Sequence, residues 1–222
     1  MSIGNSNTVA GLMAKKDGSF GILIECPGGF VNVDILEKIL EISRKHEARV
    51  HLTTSQKIML LDLNKEAGVK AISLIEEAGG KIKKTVDISQ AMTCIGKPHC
   101  PLSFQETLPL AEYLYSETAR IKIPPKLKVG ISGCPACCSW ANLVDIGFVG
   151  SKSGFKVLIA GHGGYKPKVG IEIGKIATPE EAASVLKKAA DLLINHISKK
   201  GRFDMVIEKL GIETVKCELG FQ

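Results

Sequence analysis

Aromatic side chains are scarce in this chain of 222 residues: they make up 5%, with a single Trp, so there is no stacking platform for nucleobases. The basic residues behind a formal charge of +6 are spread along the sequence with no arm or dense run, which argues against nucleic acid as a partner. No apolar run reaches the ~18–20 residues needed to cross a bilayer. The opening MSIGNSNTVAGLMAKK lacks a basic start followed by an apolar core, so no secretion signal and no membrane span are expected. The glycine clusters never form G-x-G-x-x-G after a strand, so neither a flavin nor a nicotinamide site is expected. Tandem repeats and low-complexity segments are missing too. What remains is a globular composition, 45% hydrophobic, expected in the cytoplasm and large enough for one big domain or two small ones. Its moderate positive charge suits small anions or a carboxylate-rich cofactor as well as a plain solvated surface.

The first part of the chain alternates strand and helix signals. The run FGILIEC (20–26) reads as a buried strand, broken by PGGF. Apolar residues Ile35, Leu36, Ile39, Leu40 and Ile42 then form a helical stripe, with Asn32 or Asp34 as its cap. Strands are expected over 49–55 and 57–63. Asn64 caps a second helix that stops at Gly79–Gly80, and KIKKTVDI (81–88) supplies a last strand. The order β-α-β-β-α-β is that of a ferredoxin-like layer, a topology that by itself promises no cluster. The second part begins near Ser89. It carries a loop over 94–100, a helix over 104–119, a strand ending at Gly133, two paired strands joined at Ser153–Gly154, and another strand after GHGGYKPK. A helix opens at Thr178-Pro179-Glu180-Glu181, a capping box, and runs to about residue 199; FDMVIEKLG forms a shorter one. The expected class is α+β: a ferredoxin-like half over residues 1–88 and a mixed α/β half over 89–222.

Cysteine is abundant for a chain without a secretion signal. Five of seven fall in CIGKPHC (94–100) and SGCPACCSW (132–140). In a reducing compartment clustered thiols hold metal or do redox chemistry rather than form disulfides. Five residues lie between Cys94 and Cys100, and three between Cys134 and Cys138. Two such pairs can close around a tetrahedral ion or a cubane. Zinc knuckles are usually tighter, and an iron–sulfur cube accepts a looser cradle, so spacing favours a cluster over zinc or unligated core thiols. Spacing does not choose between Cys137 and Cys138. Cys26 and Cys217 stand alone and read as small buried hydrophobes.

TCIGKPHC together with KVGISGCPACCSW resembles the cluster-binding loops of the sirohaem-containing nitrite and sulfite reductase family. The family pattern is a C-x5-C pair followed by a Gly-Cys-Pro-x-x-Cys pair, and the resemblance selects Cys138 over Cys137. It implies a [4Fe–4S] cluster on Cys94, Cys100, Cys134 and Cys138, with Cys138 also bridging to the sirohaem iron. The stretch ECPGGFVNVDILEKILEISRKHEARVHLTTSQKI resembles the family's ferredoxin-like half. VDIGFVGSKSGFKVLIAGHGG and GRFDMVIEKLG resemble its second half. The resemblance further implies that Thr53, Thr54 and Gln56 meet the cofactor, whose eight carboxylates want cationic and hydrogen-bonding partners. PPKLKVGISGC resembles the Pro-x-Lys-x-Lys strand before the cluster cysteines. Lys126 and Lys128 would then hold the oxyanion and supply protons. The competing reading of these lysines is an exposed edge strand.

Where family members read Arg-x-Thr-x-Arg-Gln, this chain reads His51-Leu52-Thr53-Thr54-Ser55-Gln56. An arginine expected shortly before Cys94 is also missing; Ser89 and Gln90 occupy that stretch. The canopy over any haem is therefore less positive, with His51 as a substitute anion contact or proton donor, or a strand histidine with no such role. Large family members carry two copies of this unit. A single copy here raises the expectation of a homodimer or a larger complex. The implied function is the six-electron reduction of sulfite to sulfide or nitrite to ammonia, with electrons from an external donor such as ferredoxin. The alternatives are a haem-less [4Fe–4S] electron-transfer module of a redox complex and a zinc-stabilised binding domain.

Overall fold

The computed structural model describes residues 9–83, 90–118, 121, 127–197 and 201–222. The chain divides into two compact units, Met1–Thr85 and Val86–Gln222.

The first unit contains β1 (Leu12–Ala14), β2 (Phe20–Glu25), α1 (Val33–His46), β3 (Arg49–Leu52), β4 (Lys57–Leu63), α2 (Lys65–Glu77) and β5 (Lys81–Ile82). From β2 to β5 this is the expected β-α-β-β-α-β order. The strands lie β5-β2-β4-β3, all antiparallel, and β1 adds a hairpin partner to β2. Register follows from burial. Ile22 faces Leu60, and Ile24 faces both Ile58 and Ile82, so each inward residue meets another inward residue. Ile39 and Ile42 of α1 and Ala71 and Ile75 of α2 close the same core. Leu60 is fully buried. Truncating such a leucine to alanine costs about 2–5 kcal/mol, enough to threaten a unit this small.

Both helices start as the sequence suggests. The Asn32 side chain accepts from Asp34 N at 3.1 Å, and the Asn64 side chain from Ala67 N at 2.8 Å. Arg44, Lys45 and His46 crowd the last turn of α1, where the helix dipole favours positive charge. β3 stops at Leu52 rather than at Ser55. Thr53 N donates to Lys57 O, and that bond closes a tight turn into β4. Of the strand expected over 81–88, Lys81–Ile82 is present and residues 84–88 lie outside the described residues.

The second unit carries β6 (Met92–Thr93), α3 (Leu108–Thr118), β7 (Val129–Ser132), β8 (Ile146–Ser151), β9 (Gly154–Ile159), β10 (Ile171–Ile176), α4 (Pro179–His196), α5 (Asp204–Leu210) and α6 (Ile212–Leu219). The sheet runs β10-β9-β8-β7-β6. β6, β7 and β8 are parallel to one another; β8, β9 and β10 are antiparallel. Alternation along β9 buries Phe155, Val157 and Ile159 against the apolar face of α4. The capping box forms as read: Glu181 N donates to Thr178 Oγ1, and the Glu181 carboxylate accepts from Thr178 N. Three elements differ from expectation. α3 begins at Leu108, not Phe104, and the chain over Phe104 and Gln105 is instead tied to the Gly133 carbonyl. α4 ends at His196, with Ile197 extended. Gly211 breaks the C-terminal segment in two, and α6 beyond it was not anticipated.

Candidate metal centre

Two loops bearing cysteines lie side by side at the ends of β6 and β7. The first leaves β6 with its ladder still running, since Cys94 N donates to Ile131 O at 3.0 Å. Thr107 Oγ1 then donates to Cys94 O at 2.6 Å, and Cys100 N donates to Gly96 O at 2.8 Å. Ser103 N donates to Cys100 O at 3.2 Å. The second loop leaves β7 at Ser132. Ser139 Oγ donates to Ile131 O at 2.7 Å and lies 2.6 Å from Ser132 Oγ, so two buried hydroxyls pin its far side. Trp140 N donates to Cys137 O at 2.7 Å.

One residue joins the loops. Gly133 N donates to Cys94 Sγ at 3.1 Å, and its carbonyl accepts from Phe104 N at 2.8 Å and Gln105 N at 3.2 Å. The first cysteine pair and the second therefore share one neighbourhood.

All the cysteines are free thiols. Cys94, Cys100 and Cys134 are partly buried and Cys138 is exposed. Cys137 differs from its neighbours. Its backbone is left-handed, at φ 51°, and burial pushes its thiol up, against hydrogen bonds from Asn142 and Ser132 that pull it down. Among the described residues no three His, Cys, Asp or Glu side chains converge on a point where a single ion would sit. Soft thiols spaced over two loops, with an N–H aimed at one sulfur, fit a group larger than one ion.

The other singled-out residues are placed as follows. Lys128 directly precedes β7 and is exposed between the buried Leu127 and Val129. Its N–H donates to Asp145 Oδ2 at 2.8 Å. Asp145, 1% exposed, also receives Arg202 Nη2 at 2.9 Å and Phe203 N at 3.3 Å. Lys126 lies outside the described residues, as does Ser89. His51 sits on β3, an edge strand whose four residues are all exposed. Thr53 Oγ1 is engaged within its own turn: it accepts from Lys57 N at 3.0 Å and lies 3.1 Å from both Lys57 O and Ser55 Oγ. Thr54 is exposed, and Gln56, at φ 56°, lies against Gly29. Cys26 is buried, as expected of a small hydrophobe; Cys217 is not, because it falls on the outward face of α6. His99 is exposed, and His162 Nε2 stands 3.5 Å from Asp204 Oδ2. Sequence reading missed Gly133, Ser132, Ser139 and Asp145. Glycine beside a ligand cysteine was the one signal for Gly133.

Residues 85–220 match the model of the nitrite and sulphite reductase 4Fe-4S domain, and residues 13–78 that of the nitrite/sulfite reductase ferredoxin-like half domain. The chain belongs to the nitrite and sulphite reductase family. Family members among its relatives are oxidoreductases. An assimilatory-type sulfite reductase of Nitratidesulfovibrio vulgaris is 28% identical over 215 residues, covering 95% of this chain and 97% of that one. A nitrite reductase [NAD(P)H] of Bacillus subtilis is 30% identical over 172 residues, covering 75% of this chain but only 21% of its own length. Among solved structures, Mycobacterium tuberculosis NirA superposes with a TM-score of 0.75 at 22% identity, covering 97% of this chain and 42% of that one. Dissimilatory sulfite reductase I gives 0.80 at 10% identity, covering 92% and 69%. These two likenesses speak to the fold. The family's α+β architecture with a ferredoxin-like half is the one described above. No helix among the described residues is long and apolar enough to cross a membrane.

Proposed function

We propose that this chain is a small sirohaem–[4Fe–4S] reductase that carries sulfite, or a related small oxyanion such as nitrite, through a six-electron reduction in the cytoplasm. The observation that carries the reading is the joining of two cysteine loops through the single residue Gly133. Cys94, Cys100, Cys134 and Cys138 would hold the cluster, with Cys138, the exposed one, also reaching the sirohaem iron. When bound, these groups supply electrons one at a time and an iron at which the oxyanion is reduced. The polypeptide's part is to bind, orient and protonate. Lys128 would meet the oxyanion and give protons to departing oxygens, together with Lys126. Its main chain is held by the buried Asp145, so only the ammonium stem moves. His51 would add an anion contact or a second proton donor. Thr53, Thr54 and Gln56 would meet cofactor carboxylates, with Thr54 the exposed one of the three.

Electrons would come from a ferredoxin-like donor: the sequence has no nucleotide motif, and one Mycobacterium tuberculosis relative, 26% identical, is named a ferredoxin sulfite reductase. The full-length match to an assimilatory-type enzyme favours sulfite. A homodimer would supply a second copy of the unit, as in larger family members.

One observation favours the haem-less electron-transfer module instead. His51 and Ser55 stand where arginines are expected, and the Thr53 hydroxyl is occupied by its own turn. The visible spectrum of anaerobically purified protein separates the two. A Soret band with a second band in the red supports the reductase. A broad cluster shoulder alone supports the module. One zinc with neither iron nor inorganic sulfide would overturn both.

A further inference from the structure

The second cysteine loop does not lie on side chains; it lies on the backbone of the sheet. A Cβ built at Gly150 on β8 would collide with the Gly133 carbonyl oxygen and stand 2.5 Å from its carbonyl carbon and 3.0 Å from its Cα. Real side chains do not approach main chain so closely, so any larger residue at 150 must push the Gly133 peptide off the strand. Gly133 is equally confined. A Cβ there would run into Ser103 Oγ and sit 3.0 Å from Gln105 O. Ser103 is itself buried, with its hydroxyl donating to Gln105 O at 2.8 Å. On one side, then, Gly133 touches β8; on the other it touches the loop that carries Cys100.

We propose that Gly150 and Gly133 are positioning residues for the cluster: their missing side chains seat the main chain of one residue, Gly133, between the loops, which fixes the spacing of the two cysteine pairs and aims an N–H at the sulfur of Cys94. The consequence is both structural and electronic. The Gly133 carbonyl holds the first loop through Phe104 and Gln105, while its N–H holds Cys94. An N–H donated to a ligand sulfur favours the more negative, reduced state of a cluster and raises its potential. This inference rests on the cluster reading above, and the iron and sulfide content of the wild-type protein tests that reading separately.

The experiment compares wild type, Gly150→Ala and, as a control, Gly163→Ala, where an added Cβ meets nothing within 4 Å. Each full-length protein is reconstituted anaerobically with iron and sulfide. Iron and acid-labile sulfide are counted, and the cluster midpoint is measured by a redox titration followed by EPR. Wild type and Gly163→Ala should load alike. Gly150→Ala should lose most of its cluster, or keep it at a midpoint moved to lower potential. Full loading at an unchanged midpoint overturns the proposal. A second measurement covers a Gly150→Ala protein that does not fold. Deuterium exchange at the Gly133 amide is followed in cluster-free wild type and in cluster-free Cys94→Ala. Loss of the sulfur acceptor should speed exchange by roughly two- to tenfold. An unchanged rate also overturns the proposal, because the N–H would then not be held by Cys94.

Discussion

The two units carry their polar chemistry in opposite ways. In the first, the turn over 53–56 is held by its own side chains: Thr53 Oγ1 contacts Lys57 N, Lys57 O and Ser55 Oγ. In the second, the cysteine loops are tied to each other and to β7 by groups from several segments: the Gly133 main chain, the Thr107 hydroxyl and the Ser132 and Ser139 hydroxyls. The arginine–aspartate pairs differ in the same sense. Arg49 and Asp62 meet on the open edge of β3 and β4, and the hydrogen bond from Arg49 draws the Asp62 carboxyl below its ordinary range. Arg202 and Asp145 meet beneath the start of β8. There burial pushes Asp145 up, in spite of the Lys128 N–H and the Arg202 guanidinium, which pull it down. The same two residue types stabilise a charge at the surface and tolerate it at a cost in the interior. A site built from self-sufficient turns can lose a ligand without loss of fold. One built from main chain shared between loops cannot lose its geometry so quietly.

The largest effect should come from the cysteine loops, and it should separate adjacent residues. Cys138→Ser is expected to lower iron and sulfide content after anaerobic reconstitution by more than about tenfold, since even outer-shell changes at metal sites cost 10–100-fold. Cys137→Ser should load like wild type, because Cys137 is not one of the four proposed ligands. Equal losses in both variants would mean that the ligand has been assigned to the wrong residue.

Next comes Asp145. Asp145→Ala removes the acceptor of the Lys128 N–H, the Arg202 guanidinium and the Phe203 N–H together. Breaking a buried pair costs about 3–5 kcal/mol, to be read as a lower denaturation midpoint in urea with the slope unchanged. Because the native pKa of Asp145 lies above its unfolded value, its contribution to stability is greatest in acid. That contribution falls as pH rises from the ordinary value of 3.8 through the native one. A urea series on either side of that window checks the sign.

Much of this architecture was legible in the sequence, and the reasons are local. The compact apolar run over 20–26 reads as a buried strand, and Ile22 and Ile24 within it are fully buried. Thr178 and Glu181 define a helix start without help from anything distant. Elements governed by remote partners were less legible. The chain before α3 is tied to a carbonyl at Gly133, and the shortness of β7 leaves Lys128 outside the strand. The cysteines stood out by residue type alone. The glycine at 150 did not, because its role is to leave space for a peptide seventeen positions earlier (150 − 133 = 17). Exposure of Cys217 was missed because α6 was not anticipated beyond Gly211.

The smallest expected effect sharpens the contrast from the other side. Arg49→Ala breaks the pair with Asp62 at the edge of the first sheet, where both side chains stand in water. Exposed pairs are worth little and are screened by salt. The unfolding midpoint should therefore move far less than in the Asp145 variant, and the difference should vanish at high ionic strength. Its pH dependence should also run the opposite way. The Asp62 carboxyl is held below its ordinary value in the native state, so whatever stability the pair contributes is present above 3.8 and is lost as pH falls through the native value. Acid should thus erase the difference between Arg49→Ala and wild type, while for Asp145 acid is where the native state gains most. A large shift from Arg49→Ala that survives both salt and acid would mean that the edge of β3 is not an open surface in solution, and that the contrast between the two pairs does not rest on burial.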